Sequence, residues 1–306
     1  MLRHLIIAIV LINILKAGSI LAVKMGLREL PAFLSAGIRF TLAGLLLVVV
    51  ASVLRARARS RGTEAAGRLV SWGLMILGVV VGTAYGLYYL SLKYTAVSRA
   101  GIIVNVNPLI TAILAGIFLR ERVSWHQIAG LLVAFAGVVL LESGAGGFAD
   151  GVMLGDLLML GSCLAWSSAA VLKKHLASYA EPTVITAWEV LPGGLALLAV
   201  SAVLEPWSTA TWGPTALLSL GYLVLLGTGV AFVGYVWVLQ RASATVVTGF
   251  SFVIPLTAVV LGVLVLDEPV GWRLAGAFAL VVAGLSLLSL RRTPTDRSGP
   301  SPDIAP

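Results

Sequence analysis

Residues Pro108–Trp125 read PLITAILAGIFLRERVSW, and residues Pro255–Trp272 read PLTAVVLGVLVLDEPVGW. In each, a Glu lies thirteen positions after the Pro and a Trp four positions after the Glu. The offset of 147 residues that superposes them also places Gly82 on Gly229, Tyr88 on Tyr235, Leu92 on Leu239, Leu119 on Leu266 and Gly137 on Gly284. Earlier positions match with an offset near 150, as Lys24 with Lys174 and Arg39 with Glu189. The chain is therefore one unit used twice.

The medium in which that unit folds follows from composition. Of 306 residues, 59% are hydrophobic and 11% charged, with a mean hydropathy of +1.03. Soluble globular chains carry about 25% charged residues, so a soluble enzyme, a nucleic-acid reader and a disordered chain are excluded. A membrane helix needs roughly 20 apolar residues. Ten stretches qualify: Leu5–Val23, Ala32–Leu54, Leu69–Leu92, Ala96–Leu119, Trp125–Leu141, Gly155–Leu172, Thr183–Leu204, Ala216–Leu239, Ser243–Leu266 and Trp272–Leu290. Such runs are too long and continuous for barrel strands, which alternate over about ten residues. The expectation is an all-α polytopic membrane protein. Residues 1–142 form a first five-helix repeat, 143–154 a linker, 155–290 a second repeat and 291–306 a disordered, Pro-rich tail. The basic start before Leu5–Leu15 resembles a secretory signal. The apolar stretch resumes after Lys16, however, and the repeat needs this helix.

Five spans per repeat is an odd number, so the second repeat enters the membrane inverted. Charge agrees. With the N-terminus cytoplasmic, the inner segments hold Arg3, Arg55, Arg57, Arg59, Arg61, Arg68, Arg120, Arg122, Lys173, Lys174, Arg241, Arg291, Arg292 and Arg297. The outer ones hold only Lys24, Arg28, Lys93, Arg99 and Arg273. Cations gather in cytoplasmic loops, so both termini are expected inside and the net charge of +8 reads as topology. Arg120-Glu121-Arg122 on the inner side becomes Asp267-Glu268-Pro269 on the outer side: the cations go and the Glu stays. Inverted repeats about a two-fold axis in the membrane plane mark secondary transporters.

Several side chains are candidates for the work of transport. Lys16 lies eleven residues into the first span. A cation there costs roughly 2.5–3.5 kcal/mol on insertion scales. It either binds a substrate carboxylate or phosphate in a wet cavity or snorkels outward. Arg39 either shares that anion site or holds backbone carbonyls as a structural cation. Glu189 is the candidate for carrying a coupling proton, with a salt-bridge partner or a solvated position as the alternatives. Asn13, Asn105 and Asn107 offer neutral hydrogen bonds to a substrate or between helices. Pro108 and Pro255 free the carbonyls of Val104 and Ser251 and bend their helices. Tyr85 and Trp166 lie deep enough to wall a cavity or a core. Tyr88, Tyr235 and Trp237 read as an interfacial belt. Glu121 and Glu268 follow helix ends and read as structural. The stripe Gly271, Ala275, Ala279 and Ala283 reads as helix packing, within the chain or between protomers. His4, His126, His175 and Cys163 are too scattered to ligate a metal, and no cofactor is expected.

With these residues in view, the sequence over about 5–290 resembles the EamA-like branch of the drug/metabolite transporter superfamily. The resemblance rests on the five-plus-five helices, Pro108…Glu121 and Pro255…Glu268, Arg39 after Pro31, Gly155-Asp156, and Trp166. That family often has Trp where this chain has Lys16; Trp166 with Lys174 keeps the family pattern. The resemblance implies a multi-pass carrier of the cytoplasmic (inner) membrane that exports or exchanges small metabolites, amino acids or amphipathic toxic compounds. The expected function is a secondary transporter moving a small organic metabolite by alternating access. An exporter of amphipathic drugs is the alternative, and a channel or an intramembrane enzyme lies further off. No nucleotide-binding motif G-x-x-x-x-G-K-[ST] is present, so either ion or substrate gradients supply the energy or transport is facilitated diffusion. The expected partners are a small-molecule substrate and membrane lipid; a homodimer is compatible, but a monomer suffices.

Overall fold

The structure, a computed structural model, describes residues 2–57, 64–91, 94, 103–142, 154–257, 260 and 272–289. The described residues hold no strand and ten helices. These are α1 (Leu2–Gly26), α2 (Ala32–Arg57), α3 (Glu64–Ser91), α4 (Asn107–Phe118), α5 (Trp125–Glu142), α6 (Leu154–Leu176), α7 (Pro182–Leu204), α8 (Pro214–Leu239), α9 (Ala244–Thr257) and α10 (Trp272–Ser289). Six are long and apolar enough to cross a membrane, and α4, α5, α9 and α10 are shorter apolar helices. The chain is an all-α, multi-pass membrane protein. Most of the expected linker, the whole tail, Gly271 and Glu268 lie outside the described residues.

The principal helix contacts join the two halves. Helix α2 packs on α7, α5 on α10, α4 on α9, α3 on α6 and α7, and α1 on α8. Exchange of the halves leaves this pattern unchanged: α3 on α6 becomes α8 on α1, and α3 on α7 becomes α8 on α2, which also touch. The other pairs map onto themselves and so straddle the symmetry axis. Their direction fixes that axis. Along the α2–α7 seam Gly37 faces Leu198, Thr41 faces Gly194 and Gly44 faces Leu191, an antiparallel crossing. Along α5–α10, Gly130 meets Gly284 and Gly137 meets Ala277, again antiparallel. A helix that runs antiparallel to its own mate requires a two-fold axis across the helices, in the plane of the membrane.

Close approach makes these seams possible. A methyl group added at Gly194 would lie 2.5 Å from the Thr41 nitrogen, and one at Gly284 would lie 2.5 Å from the Gly130 carbonyl oxygen. Helices in lipid gain association energy from contact rather than from water release, so small residues belong at such crossings. The seam of α10 uses Ala277, Val281, Gly284 and Leu288, all buried. The expected stripe misses it: Ala275, Ala279 and Ala283 lie on the exposed face of α10.

Carboxylates from one half close helix ends of the other. Glu205, after α7, accepts the backbone N–H groups of Phe33 and Leu34 at 2.9 Å each, at the start of α2. Glu29 accepts from Ala216 at 2.9 Å, at the start of α8. Helix α4 stops in a left-handed turn at Arg120 (φ 54°), where the Glu121 N–H returns to the Ala115 carbonyl. That turn aims the Glu121 carboxylate at α9, where Ala244 N–H donates at 2.7 Å and the Thr245 hydroxyl at 3.0 Å. The structural reading of Glu121 thus has its mechanism: an anion at a helix N-terminus satisfies free donors and complements the dipole. At an opposite pole, the Lys174 ammonium donates to the carbonyls of Leu239 and Ala242, the latter at 2.7 Å, and closes α8.

Glu205→Gln removes the charge from two N-terminal bonds. It should lower stability by roughly 1–3 kcal/mol, read as a fall in thermal midpoint in detergent. Glu181 precedes α7 without a side-chain cap bond, so Glu181→Gln should shift the midpoint far less; equal shifts would contradict the capping account.

Candidate functional site

A cavity of about 280 Å³ lies among α1, α3, α4, α6, α7, α8 and α9. Lys16, Tyr85, Asn107, Trp166, Lys173, Glu189, Phe232, Tyr235, Thr248 and Ser251 line it, with Thr111, Ser167, Ala170 and Ile254. Several are repeat mates: Lys16 with Trp166, Tyr85 with Phe232, and Asn107 with Ile254. The cavity therefore lies by the two-fold axis, with most of its lining from the second repeat.

The mates repeat each other's contacts. Trp166 packs against Tyr85 (centroids 5.4 Å apart, T-shaped) and Tyr88 (5.3 Å). At the mated position the Lys16 ammonium lies 3.8 Å from the centroid of Tyr235 and 5.6 Å from that of Phe232. An aromatic cluster on one side becomes a cation held by two aromatic faces on the other. Such a contact contributes about 2 kcal/mol when desolvated. Lys16 is ten residues short of Gly26, about 15 Å at 1.5 Å per residue, and its ammonium rests over Tyr235 instead of reaching the interface.

Glu189 bonds to Lys173, Nζ to Oε1 2.7 Å, in a pair shielded from solvent. Lys173 also lies 5.2 Å from the Tyr235 centroid, so one ring carries a cation from each half. The lining holds two ammonium groups against one carboxylate. Removing either member of a buried pair leaves an uncompensated charge, so an anion entering the cavity meets a cation already poised and one released if Glu189 is neutralised.

The expected residues divide into two groups. Lys16, Tyr85, Asn107, Trp166 and Glu189 converge on the cavity. Asn107 also accepts the Ser167 hydroxyl, through its backbone carbonyl at 3.1 Å and its side chain at 3.2 Å. Arg39 instead donates to the Thr228 hydroxyl at 2.8 Å and the Gly227 carbonyl at 3.3 Å, so it holds the backbone of α8. That segment, Leu223–Val230, is a π-helical stretch within α8, and such stretches recur at functional sites. Asn13 is buried, donates to the Ile9 carbonyl of its own helix at 2.9 Å, and is not among the lining residues. Asn105 lies in the turn before α4, half-buried. Pro108 follows that turn, and Pro255 follows the 3-10 segment Phe250–Phe252 at the equivalent place. Both repeats lose regular helix one turn before the proline, where a backbone donor is missing.

Two lining residues were read otherwise from the sequence. Tyr235 is buried beneath two ammonium groups rather than standing in an interfacial belt. Lys173 is a cavity residue of α6 rather than a loop cation, because α6 runs on to Leu176. Its signal was spacing: Lys173 is seven residues after Trp166, two turns along one helix face.

The EamA-like transporter family matches the chain over residues 4–143 and 153–290, once per repeat. An uncharacterized transporter of Archaeoglobus fulgidus is 28% identical, over 94% of this chain and 98% of that protein. The Escherichia coli inner membrane transporter YedA is 24% identical, over 83% of this chain and 80% of its own length. A solved crystal structure superposes with a TM-score of 0.77 at 23% identity, covering 92% of this chain and 97% of that one, a likeness of fold. With matches over both repeats, the chain belongs to the EamA-like transporter family.

Proposed function

We propose that the chain is a secondary transporter working by alternating access, and that it carries a small organic metabolite with an anionic group, such as an amino acid, out across the cytoplasmic membrane. The observation that carries this reading is the Lys16 ammonium in a cavity by the two-fold axis, beside the Lys173–Glu189 pair. Halves that exchange two slightly different shapes would expose such a cavity to one face and then the other. The volume of about 280 Å³ falls just below the range of about 300–1,000 Å³ usual for drug-sized ligands, which favours a small metabolite over a bulky amphipathic drug. A monovalent anion that travels with one proton crosses without net charge, so its own outward concentration gradient supplies the energy for export. One chain walls the cavity, so a monomer suffices. The inner membrane, as for YedA, and two cytoplasmic termini complete the reading.

Lys16→Ala tests the anion site. In proteoliposomes loaded with amino acids and organic acids first selected by thermal stabilisation, flux of anionic and zwitterionic compounds should be lost while membrane insertion is kept. Undiminished flux refutes the role. Counter-substrate on the far side should accelerate flux through the parent protein; a channel would show no such effect. Lys16→Trp reproduces the Trp166 arrangement, so it should keep the thermal midpoint of the parent and still lose anion binding.

Glu189 is the proposed proton carrier. A proton there would release Lys173 to the substrate, so proton and anion would bind cooperatively. Glu189→Gln should therefore tighten anion binding and flatten the pH dependence of transport. An unchanged pH profile assigns the proton elsewhere.

A further inference from the structure

A second cavity, of about 450 Å³, lies on the outside of the bundle between α3 and α7. Its walls are Met75, Gly78 and Gly82 from α3 and Trp188, Pro192 and Gly193 from α7. Val79, Thr83 and Ala196 complete the lining, and Val79 is 69% exposed, in a segment apolar enough to span the membrane. The cleft faces away from the transport cavity: Trp188 points into it, while the next residue, Glu189, lines the central site.

The cleft exists because particular side chains are missing. A methyl group added at Gly82 or Gly193 would meet nothing within 4 Å. Pro192 interrupts the α7 face without projecting a long side chain. On the mated face, between α8 and α2, Leu225 stands where Gly78 would be and Leu42 where Pro192 would be. Two of the small residues that open the cleft, Gly78 and Pro192, are thus not repeated on the mated face.

We propose that this cleft seats the terminal half of one phospholipid acyl chain. Depth and chemistry select that occupant. Trp188 and Gly193 lie six and eleven residues into α7, about 9 and 16 Å along at 1.5 Å per residue. The hydrocarbon is about 30 Å thick, so the cleft adjoins the bilayer midplane, below the reach of any headgroup. Walls apolar but for the Thr83 hydroxyl disfavour water there, and an empty cleft would forfeit dispersion contacts on both sides. A chain lying in it touches α3 of one repeat and α7 of the other. The seat thereby joins bilayer composition to the contact between the halves.

The test uses the full chain in phosphatidylcholine vesicles with rising fractions of a lipid brominated near the middle of its acyl chain. The Trp188 signal is the fluorescence difference between the parent and Trp188→Phe. At a given brominated fraction a seated chain holds its bromines against the ring, so Trp188 should be quenched more strongly than a ring that meets only passing chains. Gly193→Leu fills the cleft from open space, so it should fold normally and lose that excess quenching. Replacing phosphatidylcholine by phosphatidylglycerol should leave the parent curve unchanged. Identical curves for the parent and Gly193→Leu would overturn the proposal, as would dependence on headgroup. A disulfide between two copies carrying Val79→Cys in a Cys163→Ala background would also overturn it, by placing a second copy in the cleft.

Discussion

Hydrocarbon offers no water to separate helices or to solvate their ends, so association rests on backbone contact and on polar groups satisfied by the protein itself. The antiparallel crossing of each central helix with its own repeat mate meets both needs. Gly37, Gly44 and Gly194 let α2 and α7 touch, and Gly130 and Gly284 do the same for α5 and α10. Because these pairs straddle the two-fold axis, everything else is placed relative to it. The caps made by Glu205 and Glu121 cross from one half to the other, and the central cavity forms where mates face each other.

The charged residues of the cavity stand where the symmetry fails. Lys16 replaces the equivalent of Trp166, yet keeps its two aromatic contacts. Glu189 holds Lys173 in the cavity, whereas its mate Arg39 holds the π-helical stretch of α8. The corresponding part of α3 is regular helix. A frame that is symmetric in its packing and asymmetric in its charges gathers Lys16, Lys173 and Glu189 around a single cavity between the two halves.

Much of this was legible in the sequence, because length, hydropathy and repetition are local properties. The ten spans, the repeat and the inversion follow from apolar run length and an odd helix count. Lys16, Tyr85, Asn107, Trp166 and Glu189 were recognisable as polar or aromatic groups at depth. Partners were not. Which cation neutralises Glu189 depends on how far α6 continues beyond Leu172, and helix ends are set by caps such as Lys174 on Leu239 and Ala242. Tyr235 looked interfacial because it lies near a helix end in sequence. The antiparallel packing of α1 against α8, with Ile12 beside Gly234 and Ser19 beside Gly227, brings it level with the middle of α1. The stripe on α10 is not the seam within the chain, for a related reason: several faces of that helix carry small residues, and only the partner helix selects one.

The central claim is that equivalent positions of the two repeats point to opposite faces of the membrane. Tyr94 and Arg241 are repeat mates, both exposed, following α3 and α8. Single cysteines at these two positions, in a Cys163→Ala background, can be challenged in intact cells with a membrane-impermeant maleimide. Labelling at position 94 and protection at position 241 until the cells are opened is the predicted result. Labelling of both, or of neither, would contradict it.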